Sequence, residues 1–150
     1  MHVRKINNPE EAPISLLLVA DPSKKAVHDY INRGICFVLE VEKEIRGVFV
    51  LLPTRPYIIE CVNIAVEERY QNKGLGKLML TEAINIAKSN GYQTMEIGTG
   101  NSSIGQLALY QKCGFRITGV DRDFFIRHYD EEIYENGIHC RDMIRLSKDL

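Results

Sequence analysis

Residues 63 to 88 read NIAVEERYQNKGLGKLMLTEAINIAK, and this run decides how the rest is read. Apolar residues lead to Val66 at strand spacing, and a charged turn follows. Glycines then punctuate Gln71 to Gly76, and an apolar stripe recurs at helical spacing over about Leu75 to Ser89. Gly74 and Gly76 leave the backbone uncovered where that helix begins. The first N–H groups of a helix have no acceptor inside it. They lie at the positive end of the helix dipole, so an anion, a phosphate above all, is the guest expected there. Lys73 and Lys77 flank the loop and add positive charge.

Two well-known phosphate loops do not fit. A P-loop needs Ser or Thr after Gly-Lys and a glycine five residues earlier, but Gly76-Lys77 is followed by Leu78 and preceded at that distance by Gln71. The dinucleotide fingerprint needs a third glycine three residues on, where Met79 stands.

Working outward, His2 to Ile6 is a short candidate strand. Pro13 to Ala20 and Ser23 to Asn32 are candidate helices, the second capped by Asp21 or Ser23. Ile35 to Val41 and Ile45 to Leu52 read as a hairpin about Glu42 to Glu44, and Pro53 to Pro56 as the next turn. Tyr57 to Val66 is then a third strand entering the glycine loop. The helix stripe is Leu75, Leu78, Met79, Ala83, Ile86 and Ala87, with Asn90-Gly91 as its stop. Thr94 to Thr99 closes a strand–helix–strand unit whose strands should be parallel. Ser103 and Gln106 have capping-box spacing ahead of a helix with Ile104, Leu107, Ala108 and Gln111 on one face. A strand to about Val120 follows, and Ile138, Cys140, Ile144 and Leu146 alternate as a last one. Between them, Asp121 to Gly137 sets six carboxylates among Phe124, Phe125, Tyr129 and Tyr134, either a functional loop or a solvated cover of the core edge.

The pattern Gln71-Asn72-Lys73-Gly74-Leu75-Gly76, with the preceding Val66 to Tyr70, resembles the acetyl-CoA loop of the GNAT superfamily of N-acetyltransferases. The run Leu109-Tyr110-Gln111-Lys112-Cys113-Gly114-Phe115 is similar to that family's Leu-Tyr-x-x-x-Gly-Phe signature, and the order of elements matches as well. The resemblance implies an α/β (α+β) fold of one domain over residues 1–150, with a mixed sheet of six or seven strands and about four helices. It implies that the backbone of Ile64, Ala65 and Val66 pairs with the pantetheine arm of acetyl-CoA. The pyrophosphate would then lie on the N–H groups of Gln71 to Gly76, beside Lys77. It places Tyr110 as the acid that protonates the departing thiolate and Glu60 as the base for the amine, directly or through water. Where the family often has an asparagine near the cofactor, this chain has Ser103, with Asn101 two residues earlier, and Gln106 replaces a frequent alanine. A glutamate in an otherwise apolar strand run is itself costly to bury without a purpose or a partner.

The 150 residues suit one core, and a net charge of -1 sets up no field that favours nucleic acid or an anionic membrane. No apolar run reaches membrane-spanning length. Cys36, Cys61, Cys113 and Cys140 are scattered without metal-ligand spacing, as in a reduced cytoplasmic protein, and no metal site is expected. The acidic segment, Asp130, Glu131 and Tyr134 in particular, suits a cationic amine acceptor, small molecule or peptide. The C-terminal strand leaves a homodimer open. A catalytically silent acyl-CoA-binding or sensing module is the competing reading; Glu60 and Tyr110 favour the enzyme.

Overall fold

The computed structural model describes residues 1–150. Strand β1 (His2–Lys5) is followed by helices α1 (Ile14–Ala20) and α2 (Lys24–Arg33). Ser23 caps α2, its hydroxyl accepting from the Ala26 N–H at 3.1 Å, while Asp21 ends α1. Strands β2 (Ile35–Val41) and β3 (Glu44–Arg55) form a hairpin with Glu42 and Lys43 both at positive φ, the geometry of a tight turn that follows the strand twist. The turn expected at Pro53 to Pro56 lies later, because β3 continues to Arg55. Pairing with β2 ends at Leu51, so one side of β3 is open at Pro53 and its missing N–H costs no ladder bond there.

Strand β4 (Ile58–Val66), the glycine loop, helix α3 (Leu75–Ser89) and strand β5 (Thr94–Gly100) form the expected parallel crossover. Helix α4 (Ile104–Lys112), strand β6 (Arg116–Asp121) and a short helix α5 (Phe124–His128) follow. The chain then makes a small hairpin, β7 (Tyr134–Glu135) with β8 (Ile138–His139), and ends on β9 (Met143–Asp149). The segment expected as a loop thus holds a helix and a hairpin, and the expected single last strand is broken between His139 and Met143. The seven-stranded sheet runs β1-β2-β3-β4-β5-β9-β6 and is antiparallel except at β4–β5. Because β9 is paired on both sides, the C-terminal strand offers no free edge to a second copy; the open edges are β1 and β6.

Two apolar clusters fill the two faces of this sheet. One packs α3 on Phe37, Phe49, Ile59 and Leu146, and the other packs α1 and α2 on Val38, Val48 and Val50. On α3 the buried residues are Leu75, Met79, Leu80, Ala83 and Ala87. Leu78, expected in the stripe, is 38% exposed, and Leu80 takes its place. Both readings satisfy helical spacing, and only the tilt of the helix on the sheet separates them. On α4 the expected face is not the buried one: Ile104 is exposed and Tyr110 is buried. Ser103 stands at the N-cap position but makes no cap bond, because its hydroxyl donates to Glu135 Oε1 at 2.9 Å.

The revised stripe has a direct consequence. Leu80→Ala should cost about 2–5 kcal/mol of unfolding free energy, as buried leucine truncations do. Leu78→Ala should cost less than about 1 kcal/mol, as exposed changes do. Urea unfolding of both variants measures the difference; equal losses would contradict the packing.

Candidate active site

The site begins where β4 and β5 part. Their parallel pairing stops at Cys61 and Ile97, although both strands continue to Val66 and Gly100. A bulge in β4 accompanies the opening: Val50 pairs with Asn63 and Leu51 with Cys61, so Val62 has no partner on β3. Beyond that point the edge of β4 carries backbone groups without a neighbouring strand on the β5 side.

The glycine loop closes one end of this opening. Gly74 sits at φ 83 in the left-handed region and precedes the first turn of α3, with no side chain capping it. The first internal bond of the helix is Leu78 N–H to Gly74 C=O at 3.1 Å, so the N–H groups of Leu75, Gly76 and Lys77 come before the ladder starts. The loop is braced from behind. Gln71 Nε2 donates to the Val66 carbonyl at 3.0 Å, and Glu67 pairs with Arg46 at 2.6 Å. The Arg46 guanidinium lies over the Tyr70 ring at 4.7 Å. A cavity of about 360 Å³ runs from this loop along Ile64, Ala65 and Val66 to Tyr110; its one charged side chain is Lys77.

A second cavity, of about 530 Å³, lies on the other side of the parting strands. Val62, Asn63 and Ile97 to Gly100 line it from the sheet, and the end of α1 and the segment from Phe125 to Cys140 supply its other walls. Its charged lining residues are Asp21, Glu132 and Glu135, with no Lys, Arg or His among them. Both cavities are lined by Val19, Ala20, Ile64, Gln106 and Tyr110. They meet at Tyr110, which is 4% exposed. Burial, with the Cys61 thiol beside it, pushes the Tyr110 phenol well above its usual range.

The model of the acetyltransferase (GNAT) family matches residues 7–115. The chain is 61% identical to the uncharacterized N-acetyltransferase YvbK of Bacillus subtilis (strain 168), across 90% of this chain and 87% of that one. It superposes on the structure of an IAA acetyltransferase from Bacillus cereus ATCC 14579 with a TM-score of 0.97, at 52% identity and 99% coverage of both chains. A GNAT family acetyltransferase from Elizabethkingia anophelis with acetyl-CoA bound gives a TM-score of 0.96 at 44% identity, covering 99% of this chain and 97% of that one. The chain belongs to the GNAT family of acetyltransferases. It is an N-acetyltransferase by the family it shares.

In this acetyltransferase the expected cofactor residues divide. Ile64, Ala65, Val66, Gln71, Asn72, Gly74, Gly76 and Lys77 line the loop-side cavity. Leu75 turns its side chain into the core, and Lys73 lies over the Tyr70 ring at 5.2 Å. Asn101 lines neither cavity. Its amide donates to the His139 carbonyl and accepts from the Arg141 and Asp142 N–H groups, so it is a clamp on the segment before β9. Ser103 lines the acidic chamber instead, bonded to Glu135. Of the expected acceptor residues, Tyr134 lines the chamber, but Asp130 and Glu131 lie on a separate groove beside Lys24 and Lys25. The run from Glu132 to Glu135 borders the chamber instead, which brings Glu132 and Glu135 to the wall in their place.

Glu60 lines neither cavity; Val62, two residues on, does. In the sheet Glu60 pairs with Glu96 across the parallel ladder. Burial raises its carboxyl above the usual range; Arg145 draws it down and Glu96 pushes it up. Residues given no site role by the sequence reading also stand on the walls: Asp21, Asn63, Gln106 and Tyr129. Asp21 had been legible only as a candidate helix cap. Tyr129, 108 residues away, donates its hydroxyl to Asp21 Oδ1 at 2.7 Å, a contact that no local pattern encodes.

The raised Glu60 carboxyl predicts a pH-dependent stability. The folded chain holds this proton more tightly than the unfolded chain does, so stability is lost as pH rises through the carboxylate range. Glu60→Gln should therefore melt above the wild type at pH 7 to 8, and the gap should close toward about pH 4, where a carboxyl regains its proton. Calorimetry across that range tests it; a constant gap would mean that the charge is not what costs stability.

Proposed function

We propose that this acetyltransferase moves an acetyl group directly from acetyl-CoA to a primary amine of a cationic small molecule or peptide. One observation carries the reading: two cavities of opposite character, one with an uncapped helix start and Lys77, the other with three carboxylates, meet at a single buried tyrosine. The pyrophosphate belongs on the N–H groups of Gly74 to Lys77, where the α3 dipole and the Lys77 charge favour an anion. The pantetheine arm extends along the free edge of Ile64 to Val66 as an added strand would. The thioester then reaches the junction, and the amine arrives through the acidic chamber, whose carboxylates favour a cation.

At the junction the amine, once neutral, attacks the thioester carbonyl carbon. The C–S bond breaks and its electron pair leaves on sulfur, which takes up a proton. We assign that proton to Tyr110, which regains one as the new amide nitrogen sheds its own through water. Its raised pKa keeps the phenol protonated throughout the working pH range, so it meets the developing thiolate as a hydrogen-bond donor. Glu60 is too far back to touch the amine from the chamber wall, so its part as base runs through water. A carboxyl with a raised pKa is a stronger proton acceptor than an exposed one. The four free thiols fit work in a reducing, cytoplasmic compartment.

Three variants test the reading. A side chain at Gly76 would meet only Leu109 Cδ2, at 3.5 Å, so Gly76→Val should fold. Its added methyls occupy the space of the phosphates, so acetyl-CoA affinity by titration calorimetry should fall at least about tenfold, or about 1.4 kcal/mol. Unchanged affinity in the folded variant removes the cofactor assignment. Tyr110→Phe should lower kcat by about 10²-fold or more at every pH, with acetyl-CoA affinity kept. Glu60→Gln should lower kcat most at low pH, with the loss shrinking as pH rises and more of the amine arrives neutral. A Glu60→Gln profile parallel to wild type, at the same kcat, would exclude Glu60 as the base.

A further inference from the structure

Within the acidic chamber, one carboxylate is held differently from the others. Asp21 Oδ1 accepts the Ser23 N–H at 3.1 Å and the Tyr129 hydroxyl at 2.7 Å, and Oδ2 accepts the Tyr30 hydroxyl at 3.0 Å. No Lys, Arg or His forms an ion pair with it; the seven ion pairs of the molecule lie elsewhere. Tyr30 has one proton to give and gives it to Asp21, while it accepts from Asn63 Nδ2 at 2.8 Å. Asn63 Nδ2 also donates to the Leu17 carbonyl at 3.0 Å. A carbonyl can only accept, so the nitrogen must face it and the orientation of the amide is fixed. That leaves Asn63 Oδ1 without a donor, on a side chain that is 4% exposed and lines the chamber. A desolvated acceptor without a partner costs free energy, and its dipole adds to the negative potential of the wall. The protons of Tyr30, Tyr129 and the Asn63 amide are thus committed, and what this corner of the wall offers is negative charge.

A carboxylate held by three hydrogen bonds and paired with no cation of the chain is a fixed anchor for a positive charge. The reacting nitrogen must lose a proton before it attacks. The nitrogen at Asp21 is thus a different one. A single positive charge would also leave two of the three chamber carboxylates uncompensated.

We infer that Asp21, positioned by Tyr30 and Tyr129 and flanked by the orphaned Asn63 oxygen, binds a second, non-reacting ammonium, so that the acceptor is an aliphatic diamine. This rests on the reading of the chamber as the acceptor site. The reacting amine lies toward Tyr110, and the other end of the molecule is held by charge-assisted hydrogen bonds. The Phe125 and Tyr129 rings, 5.3 Å apart, border the same space and suit the methylene chain between the two nitrogens.

The test crosses substrate with variant. Wild type and Asp21→Asn are assayed with acetyl-CoA and either 1,5-diaminopentane or butylamine. Asparagine keeps the shape and an acceptor oxygen but loses the charge. Wild type should prefer the diamine by about 10- to 100-fold in kcat/KM, the worth of a hydrogen bond to a charged group. Asp21→Asn should lose that preference through a raised KM for the diamine. Tyr129→Phe, which removes one positioning donor, should raise the diamine KM severalfold in the same direction, and it serves if Asp21→Asn does not fold. Raising the salt concentration should weaken the diamine preference of wild type and not alter that of Asp21→Asn. If wild type acetylates both amines equally well, or if Asp21→Asn keeps the preference, the anchor is wrong while the amine acetyltransferase stands. If no amine is acetylated by an enzyme that binds acetyl-CoA, the acceptor reading itself falls.

Discussion

Everything functional in this molecule depends on one interruption of backbone pairing. Strands β4 and β5 share a parallel ladder for four residues and then separate at Cys61 and Ile97. A sheet that kept its pairing to Val66 would have no cavity between these strands. The bulge at Val62 bends β4 away and sets both Val62 and Asn63 on the α1–α2 side. The opening is then held from both faces: α3 packs beneath through Met79, Leu80 and Ala83, and α1 lies above, with Asn63 tied to the Leu17 carbonyl. Unpaired strand edges are costly when buried, and here the open edge of β4 from Ile64 to Val66 borders the loop-side cavity.

The two sides of the gap differ in charge because they are built differently. The loop side is made of backbone, a left-handed glycine and free N–H groups at a helix start, with a lysine next to it. The chamber side is made of side chains from distant parts of the chain, brought together by the turn after α1 and the small hairpin before β9. Close approach is required there: a side chain on Gly100 would meet the Cys140 sulfur at 2.5 Å. Asn101 fixes the same junction with three hydrogen bonds. Residues that resemble cofactor ligands by position in the chain can thus serve to hold the walls.

Glu60 shows how position along a strand keeps a residue out of the site it adjoins. It lies on the strand that forms the site, two residues short of the wall, beside Glu96 and within the field of Arg145. The energy of a half-buried carboxylate between a like and an opposite charge is set by the whole sheet, and no sequence window contains these three groups together.

The sequence by itself determined the backbone chemistry. The strand, the glycine loop and helix α3 lie within the 32 residues from Ile58 to Ser89, and local rules of helix starts, left-handed glycines and 3.6-residue periodicity suffice to place them. The parallel crossover and the hairpin of β2 and β3 are legible for the same reason, whereas Tyr110 was marked only by the Leu109 to Phe115 signature. Tertiary structure alone decided which side chains line the acidic chamber. Leu80 rather than Leu78 faces the core, and Glu132 and Glu135 rather than Asp130 and Glu131 reach the chamber, because burial depends on helix tilt and on how the segment before β8 folds back on the sheet. The Asp21 to Tyr129 contact joins residues 108 apart, and the Asn63 to Leu17 bond joins residues 46 apart. Such contacts form only after the apolar faces of the helices have been buried on the sheet, so the polar wall of the site is a product of packing.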